Sequence, residues 1–274
     1  MTATDDRTVH DLDAEAYRAH PALSVSGAKK LLPPSCPALY RYERDNPQQN
    51  KPVFDVGHAA HAQLLEVGAE LVVVDADSWT TKAAREARDA AYAAGKTPLL
   101  TKDKAAVDGM TAAVRAHPGA AALFEDGRPE VSLFWEDWAH GVARRARLDW
   151  LTVHGGGSAT VVDLKTCASA EPQAIGKAVA NFGYHMQHAW YVDGVHALGL
   201  ADDIRFLFVF VEKAPPHLVT VVELDGEAVR VGRARNDQAL RIFADCEASG
   251  RWPGYADGAV TVSLPRWATP RDES

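Results

Sequence analysis

The sequence predicts an α/β protein with a mixed central β-sheet flanked by helices, preceded by an N-terminal helical elaboration. Three observations lead there. Segments 131–138, 142–153 and 160–165 read as successive strands, followed by a helical stretch and a further strand pair; strand–strand–strand–helix–strand is the order of a mixed sheet. Before Gly127 the chain is Ala-rich and mainly helical in pattern. The 274 residues are 47% hydrophobic, with the apolar content spread over the whole length, so one sizeable core can be buried.

Taken in order, residues 1–16 are polar and read as a frayed terminus, and 17–274 as one domain: 17–127 mainly helical, 128–274 carrying the sheet and the later helices. Segment 23–32 predicts a short helix capped by Ser24 or Ser26 and stopped by Pro33 and Pro34. A loop rich in Pro, Asn and Gln spans 45–52. Segment 56–67, apolar or small on most sides, predicts a buried helix. A short β-branched run at 71–74 precedes an Ala-rich helix over 80–94 that ends at Gly95. Thr101 is expected to cap another helix reaching His117 and Pro118. After the three strands, 171–198 reads as helical with a break near 181–183. Segments 204–211 and 218–224 form a hairpin around Pro215 and Pro216, and Asp225 caps a long helix to Ser249 with Gly250 behind it. Trp252, Tyr255 and Trp267 in the tail are expected to fold back onto the body.

Composition removes several function classes. No apolar run approaches the roughly eighteen residues of a membrane span, and the N-terminus has no signal-peptide pattern. Cys36, Cys167 and Cys246 are odd in number and widely spaced, so neither a disulfide framework nor an iron–sulfur or zinc ribbon is supported; a reducing cytoplasm is the expected compartment. A net charge of −8 counts against a nucleic-acid partner, although carboxylates gathered at a metal site would contribute to it and be offset by bound cations.

The chemistry concentrates in one hairpin. Strands carrying Arg145, Arg147 and Asp149, then Asp163, Leu164 and Lys165, flank a turn containing Gly155, Gly156 and Gly157. If the hairpin is symmetric about Gly156, Asp149 faces Asp163, and Lys165 shares their face because strand side chains alternate. Like charges directly opposite each other are destabilising unless something compensates. A hard divalent cation does so, binding through one or two carboxylates, water and phosphate oxygens. The Leu164 carbonyl could add an oxygen, and Lys165 could position an attacking water. By the same parity Arg145 and Arg147 share the face and suit phosphate. The bland alternative is a solvated edge with an ordinary ion pair.

Other marked residues have plainer readings. His61 on an apolar helix is by default a hydrogen-bonded core histidine. His58/His61 and His185/His188 form two H-x-x-H pairs of zinc-like spacing, without a zinc-hydrolase motif. Lys82, Arg85 and Arg88 form a helical stripe expected to be solvated.

Beyond these local signals, the chain from about Tyr17 resembles the RecE-type exonucleases of the PD-(D/E)XK nuclease superfamily, with pieces matching in order. These are Leu23-Ser24-Val25-Ser26 with Lys29, the G-x-x-x-H-x-x-x-L-E pattern from Gly57 to Glu66, and the Glu130-x-Ser132 strand. They continue with Arg147-Leu148-Asp149, Asp163-Leu164-Lys165-Thr166, the Tyr184-x-x-Gln187-x-x-x-Tyr191 helix, and the endings around Trp252 and Trp267. The resemblance implies a restriction-endonuclease-like sheet and a Mg²⁺-dependent deoxyribonuclease, with Mn²⁺ a substitute and no iron–sulfur cluster. It assigns Asp149 and Asp163 to the metal with a His61 ring nitrogen, Lys165 to catalysis, and Gln187 and Tyr191 to a helix over the site. Glu66 and Glu130 are assigned less central places. It further implies 5′→3′ degradation of double-stranded DNA ends, a single-strand annealing partner of RecT type, and a ring-shaped homo-oligomer. An endonuclease or repair nuclease of the same fold, and a catalytically silent DNA-binding relative, are the alternatives.

Overall fold

The computed structural model describes residues 8–9, 12–46, 56–265 and 268. Its elements run β1 (Thr8–Val9), α1 (Ala14–Ala19), β2 (Leu23–Ser24), α2 (Val25–Lys30), α3 (Pro37–Asp45), α4 (Val56–Leu65), β3 (Leu71–Val74), α5 (Lys82–Ala93), β4 (Thr97–Leu100), α6 (Thr101–Ala116) and α7 (Pro118–Ala121). They continue with β5 (Arg128–Asp137), β6 (Val142–Val153), β7 (Ser158–Cys167), α8 (Pro172–Phe182), α9 (Tyr184–Ala197), β8 (Asp203–Glu212), β9 (Val219–Val222) and α10 (Gly226–Ser249). The main sheet is mixed, ordered β1-β5-β6-β7-β8-β9, with β2 adding to β6. Strands β5, β6 and β7 form an antiparallel meander, whereas β7 and β8 are parallel because α8 and α9 cross over between them. The expected mixed α/β architecture is therefore what the chain adopts.

Two apolar clusters cover the sheet. One joins Leu133, Leu148, Val161, Phe206, Phe208 and Phe210 to Met186, Trp190 and Val195 of α9 and to Leu240 and Phe243 of α10. The other joins Val162, Leu164, Val209 and Val211 to Ala60 and Leu64 of α4 and to Val107, Met110 and Val114 of α6. Helix α10 reaches α9 at Gly232, where a Cβ would stand 2.0 Å from the His185 carbonyl oxygen; beside it Asn236 donates to the Met186 carbonyl at 2.9 Å. That approach fixes the helix carrying Gln187 and Tyr191.

Several boundaries differ from the expectation, each for a local reason. Part of the segment read as a frayed terminus forms α1, capped by Asp13, whose carboxylate accepts the N–H groups of Glu15 and Ala16. Ser24, not Ser26, caps α2, through the Gly27 N–H. Helix α3 starts on Pro37, a preferred first-turn residue, in a stretch left unassigned by the sequence reading. Thr101 is the first helical residue of α6 and does not cap it: Leu100 stands at the cap position with extended backbone because it ends β4, a strand hidden by Pro98 and paired in parallel with β3. In the tail, Trp252 stacks on Tyr40 with ring centroids 5.7 Å apart, but Tyr255 is 76% exposed and does not fold back. Trp267 and most of the 45–52 loop lie outside the described residues. Among the described residues no helix is long and apolar enough to cross a membrane.

Candidate metal and phosphate site

The hairpin register is the symmetric one: Trp150 pairs with Val162 and Leu151 with Val161. Backbone pairing stops there, one residue short of Asp149 and Asp163. The Asp149 side chain takes over, its Oδ2 accepting the Leu164 N–H at 2.8 Å. On the other flank the β5–β6 register skips Glu130, which adopts φ 51° between the pairs Val131↔Leu148 and Pro129↔Trp150. A non-glycine residue at positive φ inside a strand re-aims the chain. The pleat changes phase here. Val142, Ala146 and Leu148 belong to the α9-side cluster, as does Leu151, while Trp150 joins the α4-side cluster. The sheet thus opens where Glu130 and Asp149 lie side by side.

Into that opening α4 delivers His61. Its Nε2 lies 2.9 Å from Asp149 Oδ2 and its Nδ1 3.7 Å from Glu130 Oε1. Glu130 is held from behind by an ion pair with Arg147 Nε. His61, Glu130 and Asp149 each present a ligand atom, all within 4.8 Å of one another. One imidazole and two carboxylates suit a divalent first-row or alkaline-earth cation, with coordination positions left for water and substrate.

Asp163, 1% exposed, stands alongside with both oxygens engaged: Oδ1 pairs with Lys165 Nζ and Oδ2 accepts from Gln187 Nε2 of α9. Tyr191, one turn further along α9, is also buried. Lys165 Nζ lies 5.0 Å from the centre of the Tyr184 ring. A second ammonium, Lys29 of α2, approaches the same ring at 5.9 Å and donates to the Phe182 carbonyl at 2.8 Å. Gly183 makes room for it: its φ is +64°, and a Cβ there would be 3.0 Å from Lys29 Cε.

The electrostatics show crowded negative charge. Burial pushes the Asp163 carboxyl up, neighbouring Asp149 pushes it further, and together they outweigh Lys165, leaving it at about 6. Burial also opposes the charge on Asp149, but His61, Lys165 and the Leu164 N–H prevail and hold it below the usual carboxylate range. His61 is penalised by burial, yet Asp149, Glu130 and Asp163 raise it to about 9. Without a cation, a proton on His61 is what balances the cluster. Lys165 stays protonated because Asp163 and Asp149 outweigh its burial, and burial drives the Tyr191 hydroxyl well above its ordinary value.

The structure therefore brings together His61, Asp149, Asp163, Lys165, Gln187 and Tyr191, all singled out from the sequence, and changes the places of others. Glu130, expected at the margin, completes the three-atom group, while Asp163 is engaged by Lys165 and Gln187. The contact shown at Leu164 is its N–H on Asp149. Arg147 reaches the cluster through its ion pair with Glu130, and neither Arg145 nor Arg147 is free to hold phosphate. Instead they lie under α1. Arg145 donates to the carbonyls of Tyr17, Arg18 and His20, Arg147 donates to that of Leu12 at 2.6 Å, and both guanidiniums sit over the Tyr17 ring. Glu66 is 79% exposed and paired with Arg115. The H-x-x-H pairs do not converge: His61 faces Asp149, while His185 bonds the Val179 carbonyl and His188 packs on Phe206. Lys29 and Tyr184 lie inside the family-like motifs, but no local pattern brings Lys29 and Lys165 to the same Tyr184 ring.

A mixed sheet opened at a carboxylate pair, with an Asp-x-Lys strand and a glutamine helix over it, defines a protein of the PD-(D/E)XK nuclease type. The family model of the PDDEXK-like domain of unknown function (DUF3799) matches residues 24–264, and the chain belongs to that family. Among solved structures, the chain is similar to one titled "Putative exonuclease" from Eubacterium rectale, with a TM-score of 0.62 and 12% identity, covering 94% of this chain and 97% of that one. At that identity the likeness shows the fold. A second structure, of SSO0001, aligns at a TM-score of 0.36 and 13% identity over 86% of this chain and 81% of that one, too distant to carry an argument. No curated protein matches the sequence.

Proposed function

We propose that this chain is a divalent-metal-dependent deoxyribonuclease that hydrolyses phosphodiesters of linear double-stranded DNA, with Mg²⁺ the working ion and Mn²⁺ a substitute. The observation that carries the reading is the convergence of His61, Glu130 and Asp149 within 4.8 Å, beside the buried Asp163–Lys165 pair. A cation held there would lower the pKa of bound water and offset phosphate charge. The chain's own groups account for the rest. Asp163 fixes the Lys165 ammonium, and Gln187 fixes Asp163 from the opposite oxygen. Lys165 then holds a charged donor toward a phosphate oxygen or the attacking water, a contribution of several kcal/mol when preorganised. Tyr191, kept neutral by burial, closes the α9 side of the site.

Action from DNA ends with 5′→3′ polarity, a RecT-type annealing partner for the 3′ overhang, a homo-oligomeric ring and a cytoplasmic setting follow the RecE resemblance and belong to this proposal. The test mixes purified protein with linear duplex and Mg²⁺ or Mn²⁺, comparing wild type with Lys165→Ala. Digestion by the wild type alone is expected. No digestion in either metal, or equal digestion by the variant, sinks the reading. Covalently closed circles separate an end-dependent enzyme, which spares them, from an endonuclease. End-labelled duplex reads the polarity.

A further inference from the structure

A net charge of −8 leaves open how such a chain would hold a polyanion. A groove of about 990 Å³ between the end of α1, α2, α3 and β6 bears on it. Its walls carry Arg18, Lys30, Arg44 and Arg145 against a single carboxylate, Glu43, and add the Ser26 hydroxyl. The local balance is opposite to that of the whole chain.

Two details favour phosphate. The end of α1 would present main-chain carbonyls to the groove, but Arg145 takes those of Tyr17, Arg18 and His20, so this wall does not repel an anion. Of the other cations, Lys30 pairs with Glu43, both half exposed, and Arg44 with Glu247, at 31% and 44% exposure. Such exposed pairs are worth only about 0–1 kcal/mol, so a phosphate can exchange for them. Arg18 is exposed at the lip.

Position connects the groove to the carboxylate cluster. Arg145 and Asp149 lie on the same strand, four residues apart, or about 13 Å at the strand rise of ~3.3 Å per residue. Helix α2 bridges the two places, with Ser26 and Lys30 lining the groove and Lys29 reaching the Tyr184 ring beside Lys165.

We propose that this groove binds the phosphate backbone of one DNA strand on its way to or from the carboxylate cluster, with Arg18, Lys30 and Arg44 as the phosphate contacts. The inference rests on the nuclease reading for its substrate, but it is tested by binding without cleavage. DNA affinity is measured over a salt series in EDTA for wild type, for Arg18→Ala/Lys30→Ala, and for the control Lys82→Ala/Arg85→Ala on the exposed face of α5. Two lost phosphate contacts should make the log–log salt slope shallower by roughly 1.4 for single-stranded DNA, or about 1.8 if a duplex lies there. The control should keep the wild-type slope. Neutral methylphosphonates within about four nucleotides of the cut bond, from ~13 Å at ~3.4 Å rise, should weaken wild type and leave the double variant unaffected. A wild-type slope in the double variant, an equal change in the control, or no DNA binding by wild type overturns the groove. Wild type that cuts DNA while the groove variants bind normally removes only this inference. Binding through the groove with no cleavage in Mg²⁺ or Mn²⁺ removes only the nuclease reading.

Discussion

Two charge clusters lie along β6, one at Arg144 and one at Asp149, and they are built on different terms. In the first, Arg144, 3% exposed, donates to Asp137 at 3.0 Å and Asp193 at 3.1 Å, while its guanidinium lies 3.9 Å from the centre of the Trp190 ring. His140 closes the same network on Asp137 at 2.8 Å. The one guanidinium lies between the two carboxylates, and the product is mechanical: Asp193 of α9 is tied to the sheet. In the second, Glu130, Asp149 and Asp163 crowd around Lys165, Arg147 and His61, and against its burial the carboxylates raise the His61 pKa to about 9. The first cluster has one guanidinium bridging carboxylates from two different elements. In the second, His61, Glu130 and Asp149 bring three potential ligand atoms within 4.8 Å of one another. A cation that bridges two elements ties the fold together, whereas ligand atoms gathered at one point suit a cation from solvent.

That contrast can be broken by exchanging the outcomes. The largest effect is expected from Lys165→Ala: cleavage per folded molecule should fall at least ~10²–10³-fold, since a preorganised donor to developing charge is lost. Folding should survive, because Asp163 can take up a proton when its cation leaves. Circular dichroism beside the cleavage assay checks both. Arg144→Met should do the reverse. It strands two carboxylates and should cost about 3–5 kcal/mol in urea unfolding. The surviving folded fraction should cut DNA at the wild-type rate, and a rate defect at full stability would erase the distinction between the two clusters.

Smaller effects sharpen it. Saturating Mn²⁺ or Mg²⁺ should raise stability by about 2.7 kcal/mol at a hundredfold excess over the dissociation constant, and EDTA should reverse this. The increment should persist in Arg144→Met, measured as a difference, and vanish in His61→Ala. pH separates the clusters by sign. Asp163 has its folded pKa raised from 3.8 to about 6, so its stabilising contribution in the metal-free protein is present below about 4 and lost as pH rises through about 6. Asp137 is the opposite case: burial opposes its charge, but His140 and Arg144 win and depress its pKa. Its contribution is present above about 4 and lost as pH falls further. Asp163→Asn should therefore flatten the metal-free stability profile between pH 4 and 6, by on the order of 1–3 kcal/mol, and leave the acid limb unchanged. A profile still sloping in that window would show that Asp163 is not the group under strain.

Sequence reasoning went furthest where the period is short and the pattern local. Alternation and a glycine turn set the β6–β7 register, and the α8–α9 break appears at Gly183, the left-handed residue that ends one helix and starts the next. Parity gave no sign that α1 takes up Arg145 and Arg147, although Arg147 keeps its ion pair with Glu130. It assumes an unbroken pleat, and the left-handed Glu130 lies on the neighbouring strand, where β6 itself gives no sign of it.

By itself the sequence determined the mixed α/β architecture, the helix and strand order from 128 onward, and the residue types at Asp149, Asp163, Lys165, Gln187 and Tyr191, because propensity, alternation and helical spacing act within a few residues. Only the tertiary structure decided that Glu130 joins His61 and Asp149, that α1 covers the two arginines, and that Lys29 reaches the ring beside Lys165. Each of those contacts joins segments far apart in the chain. Their meeting is set by how helices pack on a twisted, locally opened sheet, which no local pattern encodes.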